Sequence, residues 1–204
     1  MPEKTSKKNK RYKNKNGLFA FGILIIIILV VSGIYALNTP TEQTQNVPQP
    51  SSDGTWQFAL DTNDANIGSY EEYNTGYIPT LVVIDINGNI NHRDAGVHTK
   101  SQLMEYVQQS QNPSSSQNLG KAPDFSLVTF SGETFKLSNN RGKVVILDLM
   151  AVRCPPCHQQ MPELFELKKE LGDSIVILSI DVDAVYGTET ADDVREAFGE
   201  YINE

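Results

Sequence analysis

The chain has 204 residues, room for one ordinary domain with attachments, and its 39% hydrophobic and 21% charged residues are those of a globular protein, not of a disordered or fibrous one. Its formal charge of −8 is unevenly spread: residues 1–17 hold seven Lys/Arg against Glu3 alone, and the remainder holds ten basic against twenty-four acidic residues. No Lys/Arg cluster interleaved with aromatics occurs in the acidic part, which excludes nucleic acid from its expected partners.

Residues 18–37 (LFAFGILIIIILVVSGIYAL) carry no charge, and about twenty such residues cross ~30 Å of hydrocarbon as a helix. The basic residues 1–17 read as the cytoplasmic flank of this transmembrane helix, which puts the rest outside the cytoplasm in a single-pass cell-membrane protein. A cleaved signal peptide is the alternative, but the run is longer than a usual apolar core and Tyr35-Ala36-Leu37 is a poor cleavage site. Residues 38–53, rich in Pro, Gln, Ser and Thr, read as a flexible tether.

In residues 54–109 the pattern predicts a strand at 55–61, a polar helical patch at 69–73 and a strand at 77–85 entered through Pro79. An Asn87-Gly88 turn leads to a partner strand at 89–93, and a helix spans 101–108. Residues 110–120 form a polar linker. In residues 121–204 a hairpin is expected from 124–130 and 134–137, then a strand at 143–150, a helix at 155–171, a strand at 174–181 and a helix at 191–201. Neither half reads as a complete domain.

The only two cysteines stand in Arg153-Cys154-Pro155-Pro156-Cys157-His158, where an apolar strand meets a helix. A C-x-x-C in the first turn of a helix aims backbone N–H groups at the first sulfur, and the helix dipole favours its thiolate. Cys154 is therefore the expected nucleophile and Cys157 the resolving thiol of a thiol–disulfide exchange. Asp148, inside an otherwise apolar strand, is expected to have a raised pKa and to act as general base. The same residues also spell C-x-x-C-H, a c-type haem attachment pattern, with Met161 or His92 as the candidate second axial ligand. No resident metal is expected, because two Cys and three scattered His lack paired ligand spacing.

Ala122-Pro123-Asp124-Phe125, Arg141-Gly142-Lys143, Cys154-Pro155-Pro156-Cys157, Met161-Pro162-Glu163-Leu164 and Ile78-Pro79-Thr80 followed by Asp85-Ile86-Asn87-Gly88 together resemble the thioredoxin superfamily, in its membrane-tethered TlpA-like branch. The resemblance implies an α/β thioredoxin-like fold, a central mixed sheet flanked by helices, and no cofactor beyond the dithiol. It also implies a cis Ile78–Pro79 bond opposite the cysteines. Ile78, Pro79, Arg153, Pro155 and Pro156 would then form the substrate-binding surface. Implied partners are disulfide-containing exported proteins, which the dithiol reduces, and a membrane electron donor. A docking module that binds partners without turnover is the competing class.

Three features depart from the family pattern. The two halves occur in reversed order, as in a circular permutation, with a tandem of incomplete domains or a swapped dimer as alternatives. Arg153 replaces the common Trp before the first Cys, and Gln160 stands where a Glu is frequent. A peroxiredoxin is disfavoured, since Leu147 and Ala151 occupy positions where that family has Pro and Thr.

Overall fold

The computed structural model describes residues 56–112 and 117–202; the apolar stretch 18–37 lies outside them. Among the described residues, no helix is long and apolar enough to cross a membrane.

The strands are β1 (Trp56–Leu60), β2 (Thr80–Ile84), β3 (Ile90–Ala95), β4 (Ser126–Val128), β5 (Thr134–Lys136), β6 (Val144–Met150) and β7 (Ile175–Asp181). The helices are α1 (Lys100–Gln111), α2 (Pro155–Leu171) and α3 (Ala191–Phe198). Five strands form one sheet in the order β1-β7-β6-β2-β3. The β1–β7 and β7–β6 pairs are parallel, and β6–β2 and β2–β3 are antiparallel. The sheet thus interleaves strands from residues 54–109 with strands from residues 121–204 within one chain, and one compact unit holds both.

The strands β6 and β7 are buried along their whole length, and their alternate residues enter different cores. Val144, Ile146 and Met150 face the helices with Trp56, Phe58, Leu81, Val83, Met161, Leu164 and Phe198. Val145, Leu147 and Leu149 face a second core with Tyr73, Phe125, Leu127 and Phe135, capped by the β4–β5 hairpin. That two-sided burial is why these strands read as continuous apolar runs.

Several boundaries differ from the sequence pattern. The strand expected at 77–85 begins only at Thr80. The expected helical patch at 69–73 is instead a short 3-10 turn, Ile67–Ser69. Buried Asp61 organises that turn: its Oδ1 accepts from the Ile67 N–H at 2.8 Å and its Oδ2 from the Gly68 N–H at 2.8 Å. α1 starts at Lys100 behind a Thr99–Gln102 capping box and runs to Gln111, into the expected linker. α3 ends at Phe198, just before Gly199. Gly88 has φ +85 in the turn after β2, a left-handed backbone that favours glycine; a Cβ there would also displace the end of the flexible Arg141 side chain.

Trp56, the sole tryptophan, is buried in β1 and reports on the assembly of both halves. Leu81→Ala, which opens a cavity in β2, is expected to cost ~2–5 kcal/mol. In urea unfolding, Trp56 fluorescence and far-UV circular dichroism should shift together; separate midpoints would mean that the halves fold independently.

Candidate functional site

β6 leads directly into the cysteines. Cys154 caps α2, and its Sγ accepts from the Cys157 N–H at 3.2 Å while its carbonyl accepts from the same N–H at 2.9 Å. Pro155 and Pro156 fill the first helical positions, where a missing N–H costs nothing, and both are exposed. The two sulfurs are joined as a disulfide, the oxidised form of the site. Cys154 is 7% exposed and Cys157 is fully buried, so an incoming group reaches the first sulfur and not the second.

Asp148 lies on the sheet face of Ile146 and Met150, the face whose core contains both cysteines. It is completely buried, and burial pushes its pKa up from 3.8 to about 7 against the opposing hydrogen bond from Ser179. The Ser179 hydroxyl donates to Asp148 Oδ2 at 3.0 Å and itself accepts from the Trp56 indole N–H at 3.2 Å. The other carboxylate oxygen, Oδ1, is buried with no hydrogen-bond partner. A carboxyl group held on the thiol side of the sheet, with one oxygen free and a pKa near neutrality, is suited to exchange a proton with a buried thiol.

The segment before Cys154 is held at three points. Glu189, buried in the loop before α3, accepts from the Val152 N–H at 2.8 Å through Oε2 and from the Arg153 N–H at 3.1 Å through Oε1. His158, one turn into α2, donates from Nε2 to the Val152 carbonyl at 2.8 Å. The Arg153 side chain is 79% exposed and its Nε lies 3.9 Å from Glu189 Oε1, so its charge is shared with this carboxylate and not directed at the dithiol alone. Beside Glu189, Asp181 at the end of β7 has its carboxyl raised, by burial first and then by Glu189. Neither Glu189 nor Ser179 is singled out by sequence pattern, because their roles come from contacts more than thirty residues away.

The Ile78–Pro79 bond is cis and Pro79 is buried. The β2 ladder starts at Thr80, opposite Leu149, which leaves the Ile78 backbone just outside it at the dithiol end of β6. Ile78 packs against the core containing Cys154 and also lines a cleft of about 640 Å³ with Tyr77, Leu149, Val182 and Tyr186. Tyr77 and Tyr186 are largely exposed on its rim.

The two residues considered as axial haem ligands are placed otherwise. Met161 is a fully buried core residue of α2, and the His92 ring stacks on Tyr106 with centroids 3.6 Å apart. Burial, and then the neighbouring His98, hold His92 below the ordinary imidazole pKa. The histidines are also less scattered than the sequence suggests: His92 and His98 meet edge to face, 5.7 Å apart. Gln160 is buried and grips the His98 backbone, accepting from its N–H at 2.7 Å and donating to its carbonyl at 3.1 Å.

Residues 120–198 match the AhpC/TSA family. Thioredoxin-like protein YneN of Bacillus subtilis is 43% identical over 61 residues, 30% of this chain and 36% of that protein. Thiol-disulfide oxidoreductase ResA of Geobacillus kaustophilus is 37% identical over 62 residues, 29% of this chain and 36% of its own length. Thioredoxin of Bacillus subtilis is 39% identical over 57 residues, 28% of this chain and 54% of that protein. The chain thus spans little more than a third of the YneN and ResA relatives that it matches. No solved structure gives a match.

Because its folded pKa of about 7 lies above the ordinary 3.8, between those two values Asp148 is protonated in the native state while the unfolded chain has already released that proton. Its contribution is therefore lost as pH rises from ~4 through ~7. Asp148→Asn should be more stable than the parent chain by roughly 2–4 kcal/mol at pH 8, with the gap closing toward pH 4, in urea unfolding followed across that range. Glu189→Gln sets an amide N–H against one of two backbone donors and should lower stability by ~1–3 kcal/mol in the same measurement.

Proposed function

The chain belongs to the thioredoxin superfamily, among its TlpA/ResA-like members, and on that premise we propose that it is a membrane-anchored thiol–disulfide oxidoreductase reducing disulfides in exported proteins. The observation that carries this reading is the Cys154–Cys157 pair at the start of α2, with one sulfur at the surface and the other buried on the Asp148 side of the sheet. Residues 18–37 serve as the anchor, with residues 1–17 in the cytoplasm and the folded domain outside. The chain order is a circular permutation of the family's; the reading is supported by β2 lying against β6 and β1 against β7.

The reaction starts from the reduced dithiol. The Cys154 thiolate, favoured by the helix N-terminus, attacks one sulfur of the substrate disulfide; a mixed disulfide forms and the other substrate sulfur leaves as a thiolate. The Cys157 thiol then gives its proton to Asp148. Its sulfur attacks Cys154 Sγ, and the second substrate thiolate departs. Two electrons pass to the substrate and the Cys154–Cys157 disulfide remains, to be reduced again by a membrane electron donor. The clamp of Glu189 and His158 on Val152 and Arg153 holds the nucleophile's approach to the helix, which fixes the direction of attack. The Ile78 backbone, outside the strand ladder, and the cleft rimmed by Tyr77 and Tyr186 receive the peptide around the substrate disulfide, as an extended chain pairs with an unpaired strand edge.

Cys157→Ala separates an enzyme from a docking module. The enzyme accumulates mixed disulfides through Cys154, visible on non-reducing gels and absent from the double Cys154→Ala/Cys157→Ala chain; a docking module yields no covalent adduct, and its partner binding is unchanged. A dithiol couple near the thioredoxin value of ~−270 mV, read by thiol alkylation in graded glutathione or dithiothreitol buffers, supports reduction, and one near ~−120 mV reverses the direction.

A further inference from the structure

The corner where β3 passes into α1 collects ligating groups that the dithiol chemistry does not use. His92 and Asp94 are two residues apart on β3, opposite Val83 and Leu81, and so lie on the same, helix-covered face of the sheet. His98 comes from the loop before α1. One ligand atom from each of the three lies within 4.8 Å of the other two. The His98 side chain is buried, whereas that of Asp94 is 65% exposed, so the cluster is fixed on one side and open to solvent on the other.

Two observations point to a ligand here. His92 Nε2 and His98 Nδ1 are buried ring nitrogens with no hydrogen-bond partner, and buried polar atoms in that condition call for a water or an ion. His98 Nε2 and Asp94 Oδ2 stand 3.7 Å apart, too far for a hydrogen bond between them. The rings are also held in advance: Tyr106 stacks on His92, and Gln160 fastens both backbone groups of His98.

We propose that His92, Asp94 and His98 form a binding site for a divalent transition-metal ion of the zinc class. Two imidazole nitrogens and one carboxylate oxygen suit a borderline ion, whereas calcium and magnesium take shells of oxygen. Three protein ligands leave a coordination position for solvent or a partner's side chain. The site needs neither cysteine and so stands or falls apart from the redox reading. Gln160 is three residues after Cys157 in α2, so an ion at this corner ties the β3–α1 connection to the dithiol helix.

The test is calorimetric titration of the full chain in mild detergent with zinc chloride, with the disulfide intact so that thiols do not compete. One equivalent should bind with a micromolar or tighter dissociation constant and raise the unfolding temperature. Affinity should fall at least ~tenfold in His92→Gln and in Asp94→Asn, whose side chain is exposed and spares the fold. Should His92→Gln fail to fold, Asp94→Asn decides. No saturable binding, or binding of equal strength in Asp94→Asn, overturns the assignment and leaves His98 and Asp94 as an ion pair only.

Discussion

The antiparallel ladder between β2 and β6 is the contact on which the rest of the molecule depends. With Thr80 opposite Leu149, the Ile78–Pro79 peptide comes to the end of the sheet where β6 runs out toward the cysteines. The same register turns Leu81 and Val83 to the helix side and Val82 and Ile84 to the hairpin side. A slip by one residue would exchange the two sets and bury neither properly, so the packing of both cores enforces the geometry of the site. It also fixes β3, paired on the far edge of β2, and with it the face on which His92 and Asp94 stand.

The site end of the sheet is rich in buried acids. Asp148, Asp181 and Glu189 are all withdrawn from solvent, and an unpaired carboxylate in such a place is costly. The structure moderates this unevenly. Glu189 receives two backbone N–H groups, and Asp181 receives two more from Asp183 and Ala184. Asp148 has only the Ser179 hydroxyl, and its second oxygen, like Asp181 Oδ2, is left without a partner. The least satisfied carboxyl is thus the one on the dithiol face. A buried carboxyl left so poorly satisfied costs stability, a condition common at functional sites.

Much of this was legible from local pattern. The strand from Val144 to Met150 and the helix from Pro155 to Leu171 follow directly from an apolar run, two prolines at a helix start and the glycine after its end. Asp148 stood out because a charged residue interrupts that run. Other parts were not legible. The residues Tyr77 to Pro79 read as strand because they precede a strongly apolar segment, yet their backbone leaves the ladder. The stretch after Asp61 read as helix, but a buried carboxylate closes it into a single turn. Glu189 gives no local signal, since its function is to meet two N–H groups of a segment thirty-six residues earlier.

Spacing, helix-start chemistry and burial of apolar runs are local quantities, and by themselves they determined the placing of the paired cysteines at a helix start, the main strands and helices and the apolar stretch at residues 18–37. Tertiary structure alone decided which strands lie side by side, which acids are buried together and which histidines meet. Those outcomes depend on strand register between segments some sixty residues apart, and register is set by the simultaneous filling of two cores, which no local window of sequence contains.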